Sequence, residues 1–277
     1  MPAPGTSKFV SAPDGLMLHV REYGPRNTQL LPVVCLPGLA RTAGDFEVLA
    51  TALSSDTNAP RRVLALDYRG RGLSEYDRNP ANYTVSVELA DLLAVLIARD
   101  VGPAVFIGTS RGGMLAMLLS GARPTAIAGV VLNDIGPVVE TKGLMRIKGY
   151  VGKMPQPRTF EEGADILRRL FDAQFPKLTD ALWLSAAKRT WREDKQGLVP
   201  TYDVRLIQAL ATVEPERPLP ALWAQFDGLA RVPVMVIRGA NSDILSPSTV
   251  AEMRTRRGSL DVIEVPDQGH TPLLIEP

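Results

Sequence analysis

Short runs of apolar residues alternate along this chain with segments in which apolar residues recur at helical spacing. In residues 16–24 (LMLHVREYG), apolar and polar positions alternate, which is typical of an edge or antiparallel strand with one exposed face. Later runs are continuously apolar, as parallel strands are when both faces of their sheet are covered. These runs are residues 32–38, 62–67, 104–108, 127–134, 232–239 and 260–266. Because stripes such as Val85, Leu89 and Leu92 lie between them, the pattern predicts an α/β fold.

The stretch of residues 138–228 differs from the rest of the chain, because it has no continuous apolar run. Its apolar residues fall at helical spacing in three groups: Ala164, Leu167, Leu170 and Phe171; Trp183, Ala187 and Trp191; Val204, Ile207 and Leu210. We interpret this stretch as a helical cap inserted between two strands of the sheet. Residues 1–137 and 229–277 would then form the core domain.

Composition narrows the possible functions. The 277 residues carry 31 basic and 30 acidic side chains, so no basic field is available to hold nucleic acid or an anionic membrane. The beginning MPAPGTSKFV has no signal-peptide pattern, and nowhere do about 18 apolar residues follow one another. The single cysteine, Cys35, excludes an internal disulfide and a thiolate metal cluster, and we expect it to be a buried core residue. We therefore expect a cytoplasmic protein without a metal.

The sequence Gly108-Thr109-Ser110-Arg111-Gly112-Gly113 separates a predicted strand from a predicted helix. A serine at such a turn adopts a strained backbone conformation, and the small residues around it keep strand and helix from colliding. This context favours Ser110 as a nucleophile. A phosphate-binding loop is excluded by the glycine spacing. A tight turn with a helix-capping serine stays open as the alternative.

A serine nucleophile requires a base, and the chain has only 2 histidines. His19 lies within the alternating strand, which favours a structural role. His270 lies in PDQGHTP, just past the last predicted strand, where active sites of open α/β sheets collect. For the carboxylate that orients the histidine, we favour Asp243 in RGANSDILSP because of its position after a strand and the chain order Ser, Asp, His. Asp134 in LNDIGP also ends a strand and is the competing candidate.

Together these motifs resemble those of the α/β-hydrolase superfamily, over essentially the whole chain. The matching segments are, in order, Pro37-Gly38-Leu39-Ala40, Asp67-Tyr68-Arg69-Gly70-Arg71-Gly72-Leu73-Ser74, Gly108-Thr109-Ser110-Arg111-Gly112-Gly113, Asp243 and Gly269-His270. The resemblance implies a doubly wound, mostly parallel sheet with a helical cap. It also implies a triad of Ser110, Asp243 and His270, and an oxyanion hole formed by the backbone N–H groups of Leu39 and Arg111.

The chain departs from the family pattern in two places. Pro37 stands where the family usually has a histidine, so the loop that carries Leu39 loses one support. The family also has a final helix after the histidine, whereas His270 is followed by seven residues here. We interpret Arg111 as an exposed or ion-paired arginine rather than a ligand for a substrate carboxylate.

The resemblance implies a hydrolase. Haloalkane dehalogenases and epoxide hydrolases of this fold have an aspartate at the nucleophile position, so Ser110 favours acyl chemistry. We expect a carboxylesterase or lactonase that cleaves a small ester-like substrate through an acyl-enzyme and uses no cofactor. Carbon–carbon bond hydrolysis, peroxyacid formation and a non-catalytic small-molecule receptor are the alternatives on this fold.

Overall fold

An eight-stranded sheet forms the centre of the fold in the computed structural model, which describes residues 5–195, 197–211, 213–216 and 218–275. The strands of the chain are β1 (Thr6–Ser11), β2 (Met17–Tyr23), β3 (Val33–Leu36), β4 (Val63–Leu66), β5 (Ala104–Thr109), β6 (Ile127–Asn133), β7 (Trp191–Asp194), β8 (Gly197–Pro200), β9 (Val234–Gly239) and β10 (Asp261–Val265). The α-helices are α1 (Glu47–Ser55), α2 (Val85–Ala98), α3 (Arg111–Ala122), α4 (Thr141–Tyr150), α5 (Phe160–Phe171), α6 (Asp180–Thr190), α7 (Trp223–Asp227) and α8 (Pro247–Arg256). Of these helices in the described ranges, none has the length and apolarity needed to cross a bilayer.

The strand order of the large sheet is β1-β2-β4-β3-β5-β6-β9-β10. β1 pairs antiparallel with β2, and β2 pairs antiparallel with β4. The other neighbouring pairs of this sheet, which join β4, β3, β5, β6, β9 and β10 in that order, are all parallel. This topology confirms the predicted mostly parallel α/β sheet. β1 has no counterpart among the sequence predictions, because only Val10 of its residues is buried.

Helices cover both faces of the sheet, which explains why its central strands are apolar along most of their length. Along β3, Val34 and Leu36 belong to the larger core cluster, which includes residues of α2, α3 and α8. Val33 and Cys35 point to the opposite face and pack with Phe46 and α1. Cys35 is fully buried, as expected, and burial raises the pKa of its thiol. The carboxyl ends of the parallel strands are therefore held rigidly side by side.

Between β6 and β9 the chain forms α4 to α7 and a two-stranded hairpin of β7 and β8. The hairpin was not predicted for residues 138–228, which were expected to form a helical cap. Its strands have four residues each, and only Trp191 of β7 and Leu198 of β8 are buried, so the apolar pattern is too short to predict a strand. The segment has a small apolar core of its own, in which Trp183 and Trp191 pack with α5.

Backbone hydrogen bonds join this segment to the loop after β4. The Gly72 amide donates to the Thr201 carbonyl at 2.7 Å, and the Asp203 amide donates to the Gly70 carbonyl at 2.7 Å. The Tyr83 hydroxyl also donates to the Asp203 carboxylate at 2.6 Å. The segment is thus fixed to the sheet on this side.

Candidate active site

Ser110 lies at the turn between β5 and α3 in a left-handed backbone conformation, with φ 51° and ψ −113°. The glycines around it are needed for this turn. A Cβ on Gly108 would lie 2.5 Å from the Cα of Gly113, and one on Gly112 would lie 2.0 Å from the carbonyl oxygen of Leu36. The strained turn, together with these close approaches, has the form expected of a nucleophile elbow.

His270 connects Ser110 to a carboxylate. Its Nε2 lies 2.9 Å from Ser110 Oγ, and its Nδ1 lies 2.7 Å from Oδ2 of Asp134. Because a carboxylate only accepts hydrogen bonds, Nδ1 carries the proton and Nε2 is free to accept the serine proton. The imidazole and the carboxylate are both almost completely buried.

Asp134, rather than the favoured Asp243, is therefore the carboxylate that contacts His270. Asp134 follows β6, has φ 54° and is fully buried. Its Oδ1 accepts from the Gly239 amide at 2.9 Å, and its Oδ2 accepts from the Ser242 hydroxyl at 2.6 Å. These two donors, together with His270, fix the position of the Asp134 carboxylate.

Asp243 forms a two-pronged ion pair with Arg146 of α4, at 2.6 and 2.8 Å. Burial acts to raise the pKa of Asp243, but the hydrogen bonds and charge of Arg146 outweigh it and hold the pKa below its ordinary value. The Arg146 guanidinium also lies 6.0 Å from the ring centres of Tyr150 and Phe171. The prediction that Asp243 contacts His270 is therefore wrong, because both of its carboxylate oxygens accept hydrogen bonds from Arg146.

A second series of the same three residue types lies elsewhere in the fold. His19 Nδ1 is 2.7 Å from Asp67 Oδ2, and His19 Nε2 is 2.9 Å from the hydroxyl of Ser7. Asp67 also accepts from the amides of Ala43 and Leu73, so it holds two loops together. Ser7 is the second residue of the edge strand β1 and has an ordinary extended backbone. These contacts join β1 to the two loops and favour the structural role predicted for His19.

The loop after β3 and the beginning of α3 bring the amides of Leu39 and Arg111 to the same end of the sheet as Ser110. Within the described ranges, neither amide donates to another group of the protein. Arg71, fully buried, donates from Nε to the Leu39 carbonyl at 2.8 Å. Arg71 thus supports the loop in which Pro37 replaces the family's histidine.

Glu88 of α2 is fully buried between two arginines. One carboxylate oxygen lies 2.8 Å from Nη2 of Arg71, and the other lies 2.5 Å from Nε of Arg111. Arg111 is therefore ion-paired, in line with its interpretation from the sequence. Burial acts to raise the pKa of Glu88, but the charges of Arg111 and Arg71 lower it overall.

We expect Glu88→Gln to destabilise the fold by about 3 kcal/mol, because a buried ion pair that loses one partner leaves an uncompensated charge. Urea unfolding near neutral pH measures this loss. Glu162→Gln, at an exposed ion pair with Arg158, is the control, with an expected change below about 0.5 kcal/mol. The pKa of Glu88 in the folded protein lies below its ordinary 4.5. Its contribution to the free energy of unfolding is therefore fully present above pH 4.5 and is lost as the pH falls through the pKa of the folded state. Equal stability of the two variants would contradict this assignment.

Asn133, at the end of β6, fixes the turns around the site and was not identified from the sequence. Its carbonyl accepts from the Ser110 amide at 3.0 Å. Its side-chain nitrogen donates to Thr109 Oγ1 and to the Pro272 carbonyl, each at 3.1 Å. Arg146 and Ser242 were missed in the same way, because their roles depend on contacts between distant parts of the chain.

A cavity of about 200 Å³ opens above Ser110 and His270. Its floor is formed by Leu39 and the turns of the sheet, and its walls come mainly from residues 147–202. Apolar side chains predominate; those contributed by this wall are Ile147, Tyr150, Val151, Met154, Leu167, Phe171, Phe175, Leu178, Trp183, Ala186 and Tyr202. Trp191 and Trp223 are not among the lining residues. Of the three tryptophans, Trp183 is thus the one that faces the cavity.

A sequence model of the alpha/beta hydrolase family matches residues 33–277. The chain belongs to this family. This alpha/beta hydrolase is 35% identical over 275 residues to the 3-hydroxybutyrate-oligomer hydrolase of Cupriavidus necator, a match that covers 96% of this chain and 91% of that protein. It is 27% identical over 247 residues to the sn-1-specific diacylglycerol lipase ABHD11 of Mus musculus, covering 86% of this chain and 74% of that protein.

A solved structure supports the assignment. An alpha/beta hydrolase from Novosphingobium aromaticivorans has a TM-score of 0.90 to this chain and 39% sequence identity, covering 100% of this chain and 95% of that one. The family and these relatives identify the protein as a hydrolase.

Proposed function

We propose that this hydrolase cleaves short carboxylic esters or lactones through an acyl-enzyme on Ser110, with His270 as the base and Asp134 as the carboxylate that orients it. The observation that carries this proposal is the hydrogen-bonded series from Ser110 Oγ through His270 to Asp134 at the bottom of a mainly apolar cavity. A proton acceptor in contact with the serine hydroxyl is what an otherwise unreactive serine requires.

In the proposed mechanism, Ser110 Oγ attacks the ester carbonyl carbon while its proton moves to His270 Nε2. The carbonyl oxygen becomes negative and is held by the amides of Leu39 and Arg111, each of which contributes a factor of about a hundred or more. The imidazolium then gives its proton to the leaving alkoxide, and the alcohol departs. A water molecule deprotonated by His270 attacks the acyl-serine, and the acid is released.

The size of the cavity supports a small substrate. An apolar cavity of about 150 Å³ can hold a benzene molecule, so about 200 Å³ accommodates a short acyl or alcohol group. The names of the relatives favour ester bonds, since 3-hydroxybutyrate oligomers and diacylglycerols are both esters. Short esters therefore suit this site better than long acyl chains.

We further propose that residues 138–228 act as a cap on a core formed by residues 1–137 and 229–277. In support, Ser110, Asp134 and His270 all follow strands of the sheet, whereas much of the cavity wall comes from the inserted segment. The cap would then exclude water and select the substrate without supplying the reacting groups.

A fluorophosphonate probe tests the proposed nucleophile directly, because it phosphonylates only a serine that is activated by a base. We expect stoichiometric labelling of the wild type at Ser110 and parallel loss of p-nitrophenyl acetate hydrolysis. Ser110→Ala should abolish both labelling and turnover. Ser7→Ala is the matched control, because Ser7 also contacts a histidine, and it should retain both. Turnover or labelling that survives in folded Ser110→Ala would contradict the proposed function.

A further inference from the structure

One wall of the cavity is charged, in contrast to its apolar remainder. Arg41, from the loop after β3, pairs with Asp45 through Nε at 2.7 Å and through Nη2 at 2.5 Å. Arg189, near the end of α6, reaches the same carboxylate only at 3.5 Å. All three side chains line the cavity that contains Ser110. Two cations thus share one anion at this wall.

The charge of Arg189 is incompletely balanced. Its Nη1 donates to the Ser185 hydroxyl at 2.7 Å, and in the part of the chain that the structure describes its Nη2 has no acceptor. The side chain is 20% exposed. Burial and the charge of Arg41 both lower the pKa of Arg189, and the charge of Asp45 raises it. The lowering effects are larger, so the pKa lies below its ordinary value. An anion bound at Nη2 would relieve this imbalance.

The neighbouring groups do not supply that anion. Arg41 Nη1 donates to the neutral hydroxyl of Thr190 at 3.0 Å. Glu47, whose charge also acts on Arg189, is half exposed and pairs with Arg21 at 3.1 Å. Among the described residues that line the cavity, Asp45 is the sole carboxylate. The wall therefore has a net charge of +1 in contact with the space where substrate would lie.

We propose that Arg189 binds a free carboxylate on the substrate, and that the substrates are short esters that carry one such group. Examples are the ester of a hydroxy acid whose own carboxyl is free and the half-ester of a dicarboxylic acid. This inference rests on the proposed ester hydrolysis at Ser110. A single carboxylate matches the single surplus charge, and Nη2 of the guanidinium would donate a charge-assisted hydrogen bond to it.

The carboxylate is tested with two matched pairs of esters. The linear dimer of 3-hydroxybutyrate and its methyl ester differ by a negative charge on the alcohol side of the internal ester. p-Nitrophenyl hydrogen glutarate and p-nitrophenyl pentanoate differ by a charge on the acyl side. For wild-type enzyme, we expect kcat/KM to favour the anionic member of at least one pair by tenfold or more.

Arg189→Gln should lower kcat/KM for the preferred anionic ester by about tenfold to a hundredfold, the range for loss of a hydrogen bond to a charged group. The neutral partner should change by less than about threefold, and Arg189→Lys should restore part of the preference. Arg158→Gln removes an exposed arginine elsewhere in the inserted segment and should leave all four rates unchanged.

The outcomes separate this inference from the proposed function. If the neutral esters are cleaved in a Ser110-dependent manner, but the wild type prefers neither anion, the carboxylate site is wrong while ester hydrolysis stands. The same holds if Arg189→Gln slows both members of a pair equally. If no ester is cleaved, the proposed function itself fails.

Discussion

Replacing His270 with alanine should lower kcat for short p-nitrophenyl esters by about five to six orders of magnitude, close to the loss expected when a triad histidine is removed. The reason is that His270 Nε2, 2.9 Å from Ser110 Oγ, is the group positioned to accept the serine proton. Since the imidazole is buried against Asp134, the unfolding midpoint should fall, and circular dichroism is used to show that the variant still folds. Stopped-flow measurement of the burst and steady-state rates checks the expectation.

His19→Gln is the matched control, because His19 makes the same pair of contacts to an aspartate and a serine. His19 is 3% exposed and holds Asp67 between two loops, so this variant should lose stability but keep kcat within about tenfold. A folded His19 variant without turnover, or a His270→Ala variant with normal turnover, would show that the base had been assigned incorrectly.

Asp134→Asn should lower kcat about ten-thousandfold, the scale seen when the carboxylate of a Ser–His–Asp triad becomes an amide. An asparagine nitrogen at the position of Oδ2 cannot accept the Nδ1 proton of His270, so the imidazole changes tautomer and presents a proton to Ser110. KM should change by less than about fivefold, and the rate of fluorophosphonate labelling should fall in parallel with kcat. A loss of stability alone would leave that labelling rate per folded molecule unchanged.

Asp243→Asn tests the competing carboxylate. Its partner is Arg146, so we expect kcat to stay within about tenfold of the wild type and the unfolding midpoint to fall as the ion pair weakens. The reverse ranking of the two variants would show that the carboxylate comes from the loop after β9.

Much of the sheet and the nucleophile turn could be predicted because their signals are local. Apolar residues form most of β3, β4, β5, β6 and β9, because helices cover both faces of these strands. The close contacts of Gly108 and Gly112 explain the spacing of glycines around Ser110 within a few residues of sequence. Likewise, His270 could be selected because a chain with two histidines offers few choices.

The carboxylate could not be selected by the same reasoning. Asp134 and Asp243 both follow a parallel strand, so the topology brings both to the same edge of the sheet. What separates them is Arg146, which is 97 positions from Asp243 in the chain and reaches it from α4. Asp134 instead accepts a hydrogen bond from the hydroxyl of Ser242, which is 108 positions away in the chain. Neither contact has a signature in the local sequence.

The buried bridge of Glu88 between Arg71 and Arg111 has a consequence for how this sequence can diverge. A change at Glu88 leaves two arginines in the interior without their partner, which costs several kcal/mol, whereas loss of either arginine leaves Glu88 paired with the other. A lineage that lost Glu88 first would therefore pass through poorly folded enzyme. Homologues with both arginines should keep an acidic residue at position 88, and an arginine should be lost before Glu88 or together with it.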